Sequence, residues 1–168
     1  MQISMYRASV PVLARALRNL AAVLRKGEAH ASARNVDPTV LLGYRLAPDM
    51  FALTRQVQIA TDTAKGCVAR LAGVDVPVYE DNETTFAQLL DRLERTVAFI
   101  EGFQPTQIDG SEGKSVTLKM RTGEMTLQGL PYLLEFVLPN VYFHSTTAYA
   151  ILRHCGVELG KKDFLGAP

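Results

Sequence analysis

A chain of 168 residues suits a single domain spanning residues 1–168, and at this length folding removes roughly two-thirds of the unfolded surface from water. Lys and Arg number 18 against 17 Asp and Glu, so no global field recruits nucleic acid or an anionic membrane. No apolar run reaches the roughly 18 residues of a membrane span, and the first residues lack a signal-peptide pattern, so a soluble cytoplasmic protein is expected. Cys67 and Cys155 sit within helical patterns, which predicts reduced thiols packed as small hydrophobes.

Ile3, Tyr6, Val10, Leu13, Leu17, Leu20 and Leu24 step by three and four, the seam of a first long helix. Pro11 either marks its start near Val10 or kinks it, and the pattern blurs after Gly27. Asp37 at a cap position and Pro38 behind it predict a short helical turn. A second long helix is expected from Pro48 and Asp49, with Met50, Leu53, Val57, Ala60, Ala64, Val68 and Leu71 on one stripe and Gly73 as its left-handed terminator. Phe51 and Ile59 lie off that stripe and predict a second apolar contact, such as a dimer face.

Residues 77–82 read as a linker, after which Thr85 and Gln88 have capping-box spacing. Phe86, Leu90, Leu93, Val97 and Ile100 form the seam of a third long helix, Gly102 closes it, and Asp91, Arg92, Glu94 and Arg95 are assigned to its solvated face. Between Gly110 and Gly129 the period becomes two, a β-hairpin turning at Arg121-Thr122-Gly123-Glu124. A fourth long helix is expected from about Pro131 to Cys155, kinked at Pro139, followed by an extended tail whose Phe164-Leu165 pair docks on the body. The predicted architecture is all-α, a four-helix bundle with a small β-hairpin between the third and fourth long helices.

Chemistry concentrates on the fourth helix, where Asn140, His144 and Thr147 fall within the apolar stripe of Leu133, Val137, Ala148, Ile151 and Cys155. Asn140 and His144 are one turn apart, close enough to share one ion or one ligand. A buried histidine has two ways to be satisfied. A neutral imidazole can bond to Gln56, Gln58 or Asp62 of the second helix with no ion, or His144 can bind a divalent metal with Asn140 and Gln58 or Asp62, although Asp62 lies nearly opposite that helix's apolar stripe. His30 and His154 lie elsewhere, Tyr142 and Tyr149 face away from His144, and Ser145 to Thr147 lack the partners of a serine triad. No phosphate loop, dinucleotide fingerprint or paired-cysteine site is present in the sequence.

The run NVYFHSTTAYAILR from Asn140 to Arg153, RLAPDMF from Arg45 to Phe51 and GKKDFLG from Gly160 to Gly166 resemble a domain-of-unknown-function family grouped with the DinB/YfiT-like superfamily. The resemblance spans nearly the whole chain. It implies a four-helix bundle, often homodimeric, holding a divalent metal by three histidines, one on the second helix and two a turn apart on the fourth, in members that include thiol-dependent transferases and isomerases. Carried onto this sequence, those positions fall near Gln58 and on Asn140 and His144, so one of the three histidines is retained. Two functions follow. One is a helical-bundle homodimer without a catalytic set that binds a small ligand near His144, with Asn140, Thr147 and Gln58 in reach. The other is a zinc-, nickel- or manganese-dependent enzyme of the thiol-transferase or isomerase type, with His144, Asn140, Gln58 and Asp62 around the ion.

Overall fold

Ser4 opens the first helix by accepting a hydrogen bond from the Arg7 amide at 3.3 Å, and α1 runs Met5–Ala33 without a break. The computed structural model of the protein describes residues 3–120 and 123–166. The helix therefore starts six residues ahead of Pro11 rather than at it, and its buried seam extends past Gly27 to Ala31. Asp37 caps the short α2, Pro38–Gly43, by accepting from the Thr39 amide at 2.9 Å.

α3 spans Leu53–Ala72, so Pro48 and Asp49 do not begin it. Residues 44–52 form an irregular segment instead, joined to the helix where the Leu53 amide donates to the Tyr44 carbonyl at 3.0 Å. Gly73 ends α3 in the left-handed region, at φ 80°, as expected. The capping box starts α4, Phe86–Glu101: the Gln88 amide donates to Thr85 Oγ1 at 3.2 Å and the Thr85 amide donates to Gln88 Oε1 at 3.1 Å. A short α5, Pro105–Ile108, leads to the hairpin.

The sheet is two-stranded and antiparallel, with β1 Ser115–Met120 paired to β2 Gly123–Gln128 and Thr117 opposite Thr126. Val116 and Leu118 face the core. Arg121 and Thr122 of the expected turn lie outside the described residues, while Gly123 has the positive φ the turn requires, 134°. Lys114 Nζ holds the base of the hairpin to the end of α3 by donating to the Leu71 carbonyl at 3.1 Å.

The last long element has three parts: α6 Gly129–Pro131, a π-helical stretch Tyr132–Val137, and α7 Leu138–His154. The wide π turn has a local cause. Pro139 removes an amide donor and its ring presses on the carbonyl four residues back, at Glu135, which lies inside the widened stretch. The tail is not extended: Gly160 leads into α8, Lys161–Leu165, and the Gly160 amide donates to Asp163 Oδ2 at 2.8 Å. Lys26 pairs with Asp163 at 2.6 Å, Asn19 Nδ2 donates to the Phe164 carbonyl at 3.1 Å, and Phe164 packs edge-on against Tyr149 at 6.0 Å.

The protein is thus mostly helical with one small antiparallel sheet. α1 packs on α4 and α7, α3 packs on α4 and α7, and the core fills the space among them with Leu13, Leu17, Leu24, Leu53, Leu89 and Ile151. No helix of the described residues is long and apolar enough to cross a membrane.

Candidate functional site

Three polar residues of α7 are buried, His144, Ser145 and Thr147, and two of them lie on adjacent faces, His144 toward α3 and Ser145 toward α1. His144 is 8% exposed, and its Nδ1 lies 2.7 Å from Gln56 Oε1. The orientation of Gln56 is set from its other side, where its amide nitrogen donates to the Phe51 carbonyl at 2.9 Å. Its oxygen therefore faces the imidazole, so Nδ1 carries the proton and Nε2 the lone pair. Burial, then the Arg55 cation, holds the His144 pKa below the ordinary 6.5.

This arrangement has a pH signature. The unfolded chain takes up the His144 proton first, so the stabilisation is complete above about pH 6.5 and is lost as pH falls through the lower folded value. Urea unfolding at stepped pH is expected to show this acid-side loss in the native protein and a flatter profile in His144→Gln. An unchanged profile in the variant would contradict the assignment.

The other predicted site residues have partners of their own. Asn140 Nδ2 donates to the Phe136 carbonyl at 2.6 Å, and Thr147 Oγ1 donates to the Phe143 carbonyl at 2.8 Å, both within the same helical element. Gln58 Nε2 donates to Glu83 Oε2 at 2.8 Å, while its oxygen accepts from Arg55 at 3.2 Å. Asp62 pairs with Lys65 and with Arg92, each at 2.8 Å. His154 bonds the Tyr44 hydroxyl at 3.1 Å.

The donor set around His144 does not fit a divalent ion. Gln56, not Gln58, meets the imidazole, Asn140 is turned to its own backbone, and Arg55 supplies positive charge nearby. No group of three His, Cys, Asp or Glu among the described residues is arranged to hold a metal. Burial pushes the Cys67 thiol up to about 12, against the smaller opposing pull of Arg70, and burial also raises Cys155.

Arg92 corrects the sequence analysis most sharply. Assigned to a solvated face, it is 1% exposed and gathers the chain around itself. Its guanidinium pairs with Asp62 at 2.8 Å, Asp81 at 3.0 Å and Glu83 at 2.9 Å, and donates to the Thr61 hydroxyl at 2.8 Å and the Glu80 carbonyl at 3.0 Å. Burial alone would raise the Glu83 carboxyl, but bonds from Arg92 and Gln58 outweigh it and hold Glu83 below its usual value. Lys65 Nζ and the Arg95 guanidinium lie 3.7 and 3.9 Å from the centre of the Tyr79 ring. The 77–82 linker is therefore a strap pinned across α3 and α4. The spacing Leu89, Arg92, Leu93, Thr96 was a legible signal, because it places Arg92 on the buried stripe.

In the sequence Ser145 has no role beyond a triad that lacks its partners. It is 4% exposed, and its hydroxyl has no hydrogen-bond partner. It lies in the wall of a cavity of about 410 Å³ between α1, α7 and α8, lined also by Val12, Ala16, Leu20, Tyr142 and Phe164. His144 is not part of that wall.

A model of the DUF1993 family, a domain of unknown function, matches residues 5–165. The chain belongs to this family. The DUF1993 fold is also similar to a crystal structure of a DinB family member protein from Shewanella denitrificans, with 44% identity, a TM-score of 0.88, and coverage of 97% of this chain and 92% of that one. No curated protein matches the chain. The resemblance drawn from the Asn140–Arg153, Arg45–Phe51 and Gly160–Gly166 segments is thereby established.

Proposed function

We propose that this DUF1993 protein is a single-domain four-helix bundle that acts by binding a small ligand, not by catalysis, with α1, α3, α4 and α7 as the four helices. The binding site is the cavity between α1, α7 and α8, on the face of α7 that carries Ser145 rather than the one expected around His144, and His144 itself is an internal tie between α7 and α3. The carrying observation is the cavity itself: about 410 Å³ between α1, α7 and α8, with a mostly apolar wall, lies within the roughly 300–1,000 Å³ of small-molecule sites. The engagement of Asn140, Gln58 and Asp62 with other groups weighs against the metal alternative, and that of Asn140, Thr147 and Gln58 moves the ligand site away from them.

The same reading makes the protein a cytoplasmic homodimer. Phe51, 55% exposed on the irregular segment before α3, supplies apolar surface for the second copy, whereas Ile59 is half-buried and contributes less. Native mass spectrometry of protein purified without an affinity tag tests both features together. The expected species has twice the chain mass and gains no stoichiometric ion after incubation with zinc, nickel or manganese. One ion per chain, lost in His144→Ala, would replace this function with the metal-dependent thiol-transferase or isomerase alternative; a monomer at micromolar concentration would remove the dimer.

A further inference from the structure

The three walls of the α1–α7–α8 cavity are held with unequal strength. α1 and α7 are long helices packed in the core, and Leu20 and Val23, which α1 gives to the wall, are buried. α8 is different. It gives Phe164 and Leu165 to the wall, yet none of its five residues is buried. Its attachments lie near the surface: Lys26 and Asp163 pair at 2.6 Å with both side chains partly exposed, Asn19 Nδ2 donates to the Phe164 carbonyl at 3.1 Å, Arg15 donates to the Leu165 carbonyl at 3.2 Å, and Phe164 meets Tyr149 by its ring edge. The chain just before α8 is firm, because Val157 and Leu159 are buried and the Val157 amide donates to the Leu152 carbonyl at 3.1 Å. Firm chain gives way to surface-held chain at Gly160, which is exposed.

We infer that α8 is the lid of this cavity: it undocks from α1 about Gly160 while α1 and α7 stay packed, and ligand enters and leaves through the opening. The inference rests on the ligand-binding role of the cavity and adds its route of exchange. Moving α1 or α7 exposes core side chains to water, whereas releasing α8 breaks an exposed ion pair, two bonds to backbone carbonyls that water replaces, and one ring contact. A helix of five residues does not persist alone in water, so undocking also melts it and frees the Asp163 and Gly166 amides, which donate to the Gly160 and Lys162 carbonyls at 3.0 Å each. Lys26 and Asp163 lie outside the cavity wall, so their pair sets how often the lid opens without touching the ligand. Weakening that pair favours the open form equally with the cavity empty or filled. Entry and exit then accelerate together and Kd is unchanged.

Amide hydrogen exchange of the whole protein, and NMR line shapes during titration with 1-octanol as a neutral apolar probe, test the lid and the ligand role separately. In the native protein the Asp163 and Gly166 amides are expected to exchange at least about a hundredfold faster than those of Ala148 and Ile151 in α7, which wait for wider unfolding. Lys26→Gln removes one exposed ion pair and is expected to speed exchange at Asp163 and Gly166 about threefold, leaving α7 unchanged, and to raise the association and dissociation rates of 1-octanol by the same factor at constant Kd. Asp163→Asn, which also weakens the bond from the Gly160 amide, is expected to do the same about tenfold. Protection of Asp163 and Gly166 equal to that in α7 would overturn the opening itself. Saturable binding with rates unchanged in both variants, or a changed Kd at a constant association rate, would overturn the lid and leave the cavity a ligand site. Accelerated amide exchange without saturable 1-octanol binding would overturn the ligand-binding reading, and with it the exchange route, while the opening of α8 would stand.

Discussion

Arg92→Met is expected to destabilise the protein by about 3–5 kcal/mol, the usual cost of removing one partner from a buried ionic network. The side chain is 1% exposed and neutralises Asp62, Asp81 and Glu83 while bonding a hydroxyl and a backbone carbonyl. Methionine matches its volume but leaves Glu83, whose side chain is 7% exposed, as a carboxylate without its cation. The strap carrying Tyr79, Glu80 and Asp81 then loses its anchor to α3 and α4. For a chain of this length each kcal/mol corresponds to roughly 2–4 °C, so the melting temperature is expected to fall by roughly 6–20 °C. The same network fixes the acid limit. Because the Glu83 pKa is lowered in the fold, its stabilisation is present above about pH 4.5 and is lost as pH falls through its lower folded value. Urea unfolding of the variant at neutral pH checks the size of the effect, and a loss under about 1 kcal/mol would mean that the network is solvated and energetically minor.

Gly129→Ala is expected to cost about 3 kcal/mol, although alanine is the better helix former. The reason is a close approach at the junction between β2 and the last long element. A Cβ at Gly129 would stand 1.9 Å from the Ser111 carbonyl oxygen, and Leu71 Cδ2 blocks another direction at 3.3 Å. The obstacle is backbone, and it is held in place: the Lys114 amide donates to the Ser111 carbonyl at 3.1 Å and the Leu130 amide donates to the Glu112 carbonyl at 2.9 Å. Accommodating the methyl group therefore moves the base of the hairpin or the entry to α6 and the π stretch, and with them the register of α7. Thermal unfolding read by circular dichroism gives the stability, and amide chemical shifts along α7 give the displacement. A neutral or stabilising substitution, as expected from reduced chain entropy alone, would contradict the packing at this junction.

The long helices were legible because their apolar residues recur at three and four, and their ends were legible where a single side chain decides the matter. Thr85 and Gln88 cap α4, Gly73 turns left-handed after α3, and Gly123 takes the positive φ of the hairpin. Boundaries set by tertiary contact were not. α3 begins at Leu53 because Tyr44 and Phe51 engage its first turn, which no local propensity encodes. Likewise, α8 forms where Asn19 and Lys26 of α1 receive it.

The polar interior was partly legible. Periodicity placed His144 inward, and Gln56 was among the partners considered, but choosing it over Gln58 and Asp62 depends on the relative rotation of α7 and α3. Arg92 reads as a surface residue from its charge, while its position on the α4 stripe points inward. Its anions arrive from the strap and from α3, far apart in sequence, so their convergence is a tertiary event. Ser145 was overlooked for a related reason. A lone serine signals nothing in a sequence, and its place in a cavity wall depends on where α1 and α8 pack.

The central claim separates two faces of α7, a ligand face at Ser145 and a structural face at His144. Titration of isotope-labelled protein with 1-octanol, followed through backbone amides and the His144 imidazole together, tests it most directly. Shifts are expected to concentrate at Ala16, Asn19, Ser145 and Phe164, with the His144 Nδ1 proton retained and unmoved. Saturable shifts centred instead on His144 and Gln56, with the cavity residues silent, would contradict the account.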